Sequence, residues 1–136
     1  MPQGEWMPIS MVVLDCRDPA ALAGFYLKLL GWQLADEEPG GGWVDIACPG
    51  GGAKLAFQRD EGYCPPQWPA PPPAQQQMMH LDFEVPDAAA LHKAVEHALC
   101  CGAQKAPVQF DEKHWVTLLD PAGHPFCFVV APVAEK

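Results

Sequence analysis

Two stretches of this chain repeat one another, and that repeat limits the fold more than any other feature. Cys16-Arg-Asp18-Pro-Ala-Ala-Leu22 and Val85-Pro-Asp87-Ala-Ala-Ala-Leu91 each join a strand end, an Asp placed to cap, and the start of a helix. Further on, Trp43 matches Trp115, and the same spacing brings Pro49 onto Pro121 and Gly51 onto Gly123 without a gap. Agreement at both ends of each half makes the chain a tandem repeat of one βαβββ unit. A single sheet of that size cannot bury itself, so two are expected to pair edge to edge around a concavity. The expected fold class is α+β: two tandem βαβββ modules forming a curved mixed sheet around a concave cavity, with the helices on the outside. Module 1 takes about residues 9–60, a proline-rich connector about 62–77 and module 2 about 78–132 of a single 136-residue domain.

Local pattern supplies the elements. Met11–Cys16 reads as a strand. Asp18-Pro19 then puts a capping side chain before a proline at the first helical position, where a missing N–H costs nothing. The helix runs from Pro19 to Leu30, with Leu22, Phe25, Tyr26, Leu29 and Leu30 on one apolar face, and Gly31 stops it. Strands are expected at Trp32–Ala35, Trp43–Cys48 and Lys54–Arg59. In the second half, Met79–Val85 is the first strand. Helix Ala88–Cys101 turns Leu91, Val95, Ala98 and Leu99 inward and ends at Gly102, and strands follow at Gln104–Val108, Trp115–Leu119 and Pro125–Val130. Between the halves, Tyr63–Pro73 carries too many prolines for a sheet interior. It reads as a stiff surface connection, with Trp68 covering something on the way, or as a polyproline ligand for another domain. The arm Met1–Pro8 is expected to be loosely held.

A formal charge of −9 argues against nucleic acid and against anionic membrane surfaces as partners, since both repel an acidic protein. No segment approaches the ~20 apolar residues that span a bilayer. Met1–Ser10 lacks the basic start and apolar run of a signal peptide, so a cytoplasmic location is expected. There the six cysteines stay reduced, and none forms the C-x-x-C pair common in zinc sites. All except Cys127 read as small buried hydrophobes.

The chemistry gathers in Met79-His-Leu-Asp-Phe-Glu-Val85. Alternation puts Leu81, Phe83 and Val85 on the core side and His80, Asp82 and Glu84 on the other. Three ionisable groups on one face of one strand either meet solvent or line a cavity. In the first half Met11, Val13 and Asp15 take the corresponding places, while the last strands add Leu55 and Phe57 against Cys127 and Val129. His80 and Asp82 stand two residues apart on one face, with Cα atoms about 6.5–7 Å apart. A carboxylate there can orient the imidazole as a general base requires. The pair serves equally to hydrogen-bond a polar ligand, or only each other. Cys127 is either a nucleophile beside His80 or a buried thiol, and no basic neighbour or helix N-terminus marks it as activated. His92, His97, His114 and His124 read as solvated, and Trp43, Phe57, Trp68 and Trp115 as cavity walls. The expected ligand contacts are therefore Met11, Phe57, His80, Asp82, Trp115 and Cys127, with His80 the catalytic candidate.

Three stretches carry a family resemblance that covers nearly the whole chain. They are Val12–Trp32 with its Phe25-Tyr26 and Leu30-Gly31-Trp32, His80–Val85 with Asp87 following, and Trp115 with Asp120-Pro-Ala-Gly-His-Pro-Phe-Cys127. Together they resemble the vicinal oxygen chelate superfamily and, within it, the glyoxalase-like branch of the glyoxalase/bleomycin resistance/dioxygenase fold. The resemblance implies a homodimer. It implies no single reaction, because the superfamily hosts lyases, isomerases, ring-cleaving dioxygenases and drug-sequestering proteins. Its metal-using members take up to four ligands from the first and last strand of each module, usually His or Gln and then Glu. Carried over, those places are Met11, Leu55, His80 and Cys127, of which only His80 keeps a usual ligand type; Asp82 and Gln58 stand nearby. No cofactor is therefore expected and no metal ligand assigned, a divalent ion at His80 being the exception left open.

Three functions fit these residues. One is a binding protein that holds a small organic molecule, cationic or neutral given the acidic surface. The second is a lyase, isomerase or dioxygenase-type enzyme using His80 as base or metal ligand. In the third, the cavity is vestigial and the dimer surface matters. The thin ligand set weighs against a metal enzyme, and a ligand or turnover assay separates the others, with small-molecule binding taken as the working expectation.

Overall fold

The computed structural model describes residues 6–67 and 71–132. The chain divides into two compact units after Tyr63. In the first, β1 (Met11–Cys16), α1 (Pro19–Leu30), β2 (Gln33–Glu37), β3 (Trp43–Ala47) and β4 (Lys54–Arg59) give one helix and a four-stranded sheet of order β1-β4-β3-β2. The second repeats this with β5 (Leu81–Val85), α2 (Ala88–Cys101), β6 (Gln104–Lys105), β7 (Trp115–Leu119) and β8 (Pro125–Val130), in the order β5-β8-β7-β6. β1 runs parallel to β4 and β5 to β8, and the remaining pairs are antiparallel. The fold is thus two tandem βαβββ modules with mixed sheets.

Both helices start and stop where the sequence places them, for local reasons. The Asp18 carboxylate accepts from the Ala21 N–H at 3.2 Å and that of Asp87 from the Ala90 N–H at 2.8 Å. Each closes one of the orphan donors of a first turn. At the other ends Gly31 and Gly102 take positive φ, 69° and 116°, which a side chain would resist.

Each unit has its core between helix and sheet. Leu22, Phe25, Tyr26 and Leu29 of α1 are buried, as are Val44 and Ile46 of β3 and Leu55 and Phe57 of β4. The Tyr26 ring stacks on Phe57, with centroids 5.6 Å apart. In the second unit Phe126 and Phe128 meet edge to face at 5.6 Å with Phe83 beside them, and Leu91 and Ala98 of α2 are buried.

Four expectations are corrected. β5 begins at Leu81, leaving His80 just before it, since the next ladder position would fall on Pro125, which has no N–H to give. β6 stops at Lys105 because Pro107 interrupts it; the Gln109 side-chain amide donates instead to the Ala106 and Thr117 carbonyls and accepts from the Thr117 N–H. Leu99, at the edge of the α2 stripe, is 45 % exposed. Cys64 in the connector and Cys100 on the outer side of α2 are exposed rather than buried, whereas Cys16 and Cys127 are buried, and all six cysteines are free thiols. Met1–Glu5 of the arm and Trp68 of the connector lie outside the described residues.

Candidate functional site

Residues paired directly across a ladder share a face of the sheet. In the second unit Asp82 pairs with Cys127 and Cys127 with Thr117, while Glu84 pairs with Val129 and Val129 with Trp115. Phe83, Phe126 and Phe128 point the other way, into the core. The face away from the helix therefore carries Asp82, Glu84, Trp115, Thr117, Cys127 and Val129, with His80 at the entrance to its first strand. Of the expected ligand contacts, His80, Asp82, Trp115 and Cys127 all fall on this face.

Three of them converge. His80 Nε2 lies 3.2 Å from Asp82 Oδ1, and one ligating atom each of His80, Asp82 and Cys127 lies within 4.8 Å of the others. The two outer groups are accessible, with side chains 33 % and 56 % exposed, while Cys127 and Thr117 are buried beneath them. The Thr117 hydroxyl and the Cys127 thiol are 3.3 Å apart. Burial pushes the Cys127 pKa up and the Asp82 carboxylate adds to that, against a smaller lowering by the Thr117 hydrogen bond. Cys127 thus stays a neutral thiol at neutral pH, which weakens the nucleophile reading.

An imidazole nitrogen, a carboxylate oxygen and a thiol sulfur form a donor set that suits zinc. Tetrahedral bonds of ~2.0–2.3 Å need donors roughly 3.3–3.8 Å apart, which small side-chain rotations supply from the observed spacing. The residues fit such an ion. Counting ligands along the sequence allows two at most; Asp82 makes a third because His80 and Asp82 share a face. This is the one such group among the described residues.

In the first unit the equivalent face holds Met11, Val13 and Asp15 of β1, Lys54, Ala56 and Gln58 of β4, and Trp43 and Asp45 of β3. Met11 pairs with Lys54 at the ladder position matching His80. Here the ungapped match of the halves fails. Six residues join β3 to β4 but five join β7 to β8, so the counterpart of Cys127 is Ala56 and not Leu55. A shift of one residue turns every side chain over. Leu55 and Phe57 consequently face the helix, and Phe57, stacked on Tyr26, is withdrawn as a ligand contact. The signal was present in Lys54-Leu-Ala-Phe-Gln58, where the polar members alternate with the large apolar ones.

Two residues on these faces were missed. Thr117, read only as part of a strand, supports Cys127. Asp45, flanked by Val44 and Ile46, is buried on the face away from the helix and accepts a 2.8 Å hydrogen bond from the Trp43 indole N–H. An Asp inside an apolar strand was the available hint. The remaining histidines stand apart from this chemistry: His92 pairs with Glu96 and His114 with Asp111 at exposed sites, His97 is exposed, and His124 is half-buried.

Comparison with known proteins agrees with the fold. A search of curated proteins finds no match. Among solved structures, a glyoxalase/bleomycin resistance protein/dioxygenase family enzyme from Burkholderia phytofirmans PsJN superposes with a TM-score of 0.69 at 22% identity, over 93% of this chain and 100% of that one. A lactoylglutathione lyase from Agrobacterium tumefaciens gives a TM-score of 0.62 at 18% identity over 96% of both chains. The fosfomycin resistance protein FosX from Mesorhizobium loti gives 0.69 at 11% identity over 95% of both. At these identities the likeness speaks for the fold alone. The model of the glyoxalase-like domain matches residues 11–129, from the first strand to the last, and the chain belongs to that family.

Proposed function

We propose that the chain binds a small polar organic molecule on the sheet face of its second unit, held by His80 and Asp82. The observation that carries this reading is the 3.2 Å contact between His80 Nε2 and Asp82 Oδ1 on accessible side chains above a buried thiol and hydroxyl. Asp82 fixes the imidazole plane, and an oriented imidazole hydrogen-bonds an oxygen ligand or takes a proton from it. The fold neighbours include a lactoylglutathione lyase and a fosfomycin resistance protein, so this framework serves more than one small-molecule task. Small neutral carbonyl compounds and alcohols, screened by thermal shift, should stabilise the wild-type protein and lose their effect in His80→Ala. A hit that stabilises wild type, His80→Ala and Asp82→Asn alike would sink the reading. Solvent deuterium exchange into a bound hit, followed by NMR, separates proton abstraction from binding.

A second reading is favoured by the convergence of three donor atoms. His80, Asp82 and Cys127 would hold a zinc ion, which when bound polarises a ligand oxygen as a Lewis acid. Zinc should then raise the melting temperature of tag-free protein and fail to do so in His80→Ala. An unchanged melting temperature in wild type rejects the metal and leaves the first reading standing.

A further inference from the structure

We infer that the first unit carries a subsite for a primary ammonium group, centred on the buried carboxylate of Asp45. Asp45 is 3 % exposed, and its Oδ1 is the one buried side-chain oxygen that lacks a hydrogen bond among the described residues. Oδ2 is served by the Trp43 indole at 2.8 Å. The Lys54 ammonium stands 3.7 Å from Oδ1, beyond hydrogen-bonding reach, on a side chain that is 38 % exposed. A buried carboxylate oxygen left short of a donor is costly, and such atoms are rare unless something fills them.

The fold itself does not ask for a carboxylate here. Val44 and Ile46, on either side, supply the core, and the matching place in the second unit is the neutral Thr117. Across the ladder from Asp45 is Ala56, the smallest side chain on this face, where the second unit has Cys127. Asp45 is thus an addition, set beside an indole over a short methyl.

Charge decides the ligand class. Ladder pairing puts Asp15, Asp36 and Asp45 on this face against the single cation Lys54 among its strand residues. A carboxylate ligand would meet repulsion. A neutral hydroxyl would complete the hydrogen bond but not the charge. A primary ammonium does both, at the short distance of a charge-assisted bond, and an apolar or aromatic body on it has the half-buried Trp43 to lie against. Lys54 is the same chemical group on a flexible stem. It acts as a tethered, badly seated substitute that swings into solvent when a ligand ammonium takes Oδ1. None of this depends on what His80 binds.

Calorimetric titration of the full chain at neutral pH with benzylamine, benzyl alcohol and benzoate tests the site. Benzylamine should bind about tenfold tighter than benzyl alcohol, benzoate should not bind, and Asp45→Asn should remove the preference. Lys54→Met should tighten benzylamine several-fold by removing the competing cation. Asp45→Asn could fail to fold; Lys54 is partly exposed, so its variant still decides. Equal affinity for amine and alcohol in both wild type and Lys54→Met means that Oδ1 holds only a water, and overturns the proposal. So does weaker benzylamine binding in Lys54→Met.

Discussion

Cys127 shows how one side chain can be read rightly in place and only partly in role. Its strand parity and its neighbour His80 are legible in the sequence, because a period of two puts residues i and i+2 on one face. Its burial under Asp82 is not, since that depends on pairing between strands far apart in the chain. The consequence is measurable. In metal-free protein at neutral pH, Cys127 and the equally buried Cys16 should be the slowest of the six thiols to react with iodoacetamide, with the exposed Cys64 and Cys100 the fastest by peptide mass spectrometry. Equal labelling would mean that the thiol is not held as described. Its raised pKa also sets a sign. A thiol harder to ionise in the folded state stabilises the fold fully below the ordinary thiol range, and that contribution is lost as pH climbs through the raised value. Melting temperature should therefore fall more steeply at alkaline pH in wild type than in Cys127→Ala. Asp45 stood out as an Asp inside an apolar strand, but its burial was illegible for the same reason as that of Cys127: nothing local says that a carboxylate between Val44 and Ile46 ends up covered.

The elements divide by how local their causes are. Both helices match the expected bounds because an Asp side chain starts each and a glycine stops each, within a few residues of chain. β6 came out short because a proline three residues into the expected strand outweighed its apolar pattern. The orientation of β4 was misjudged because its hairpin with β3 has one more connecting residue than that of β7 and β8, so an ungapped match of the halves slips by one. That orientation can be tested by stability. Phe57→Ala should cost ~3–5 kcal/mol, the value for emptying a buried aromatic site, because its ring stacks on Tyr26 in the core. A loss below ~1 kcal/mol in urea melts would return Phe57 to the outer face and undo the assignment of Ala56 as the counterpart of Cys127.

For the molecule as a whole, the duplication was the legible feature, down to the matching strand orders of the two units. Assembly is the next question it raises. Trp6, Met7 and Ile9 before β1, and Met78 and Met79 before β5, are all more than two-thirds exposed, an amount of open apolar surface that favours self-association. Sedimentation should show a species of twice the 14.8 kDa chain at micromolar concentration. A single species at the chain mass would remove the homodimer. The unequal β3–β4 and β7–β8 connections have a further meaning. Two copies of one unit have tolerated different loop lengths without moving the strands they join, so nothing in the sheet measures the loop. Over evolutionary time such a place absorbs gained and lost codons silently. For protein engineering, Pro49–Gly52 is accordingly the position at which a guest peptide can be spliced into this chain while both sheets keep their alignment.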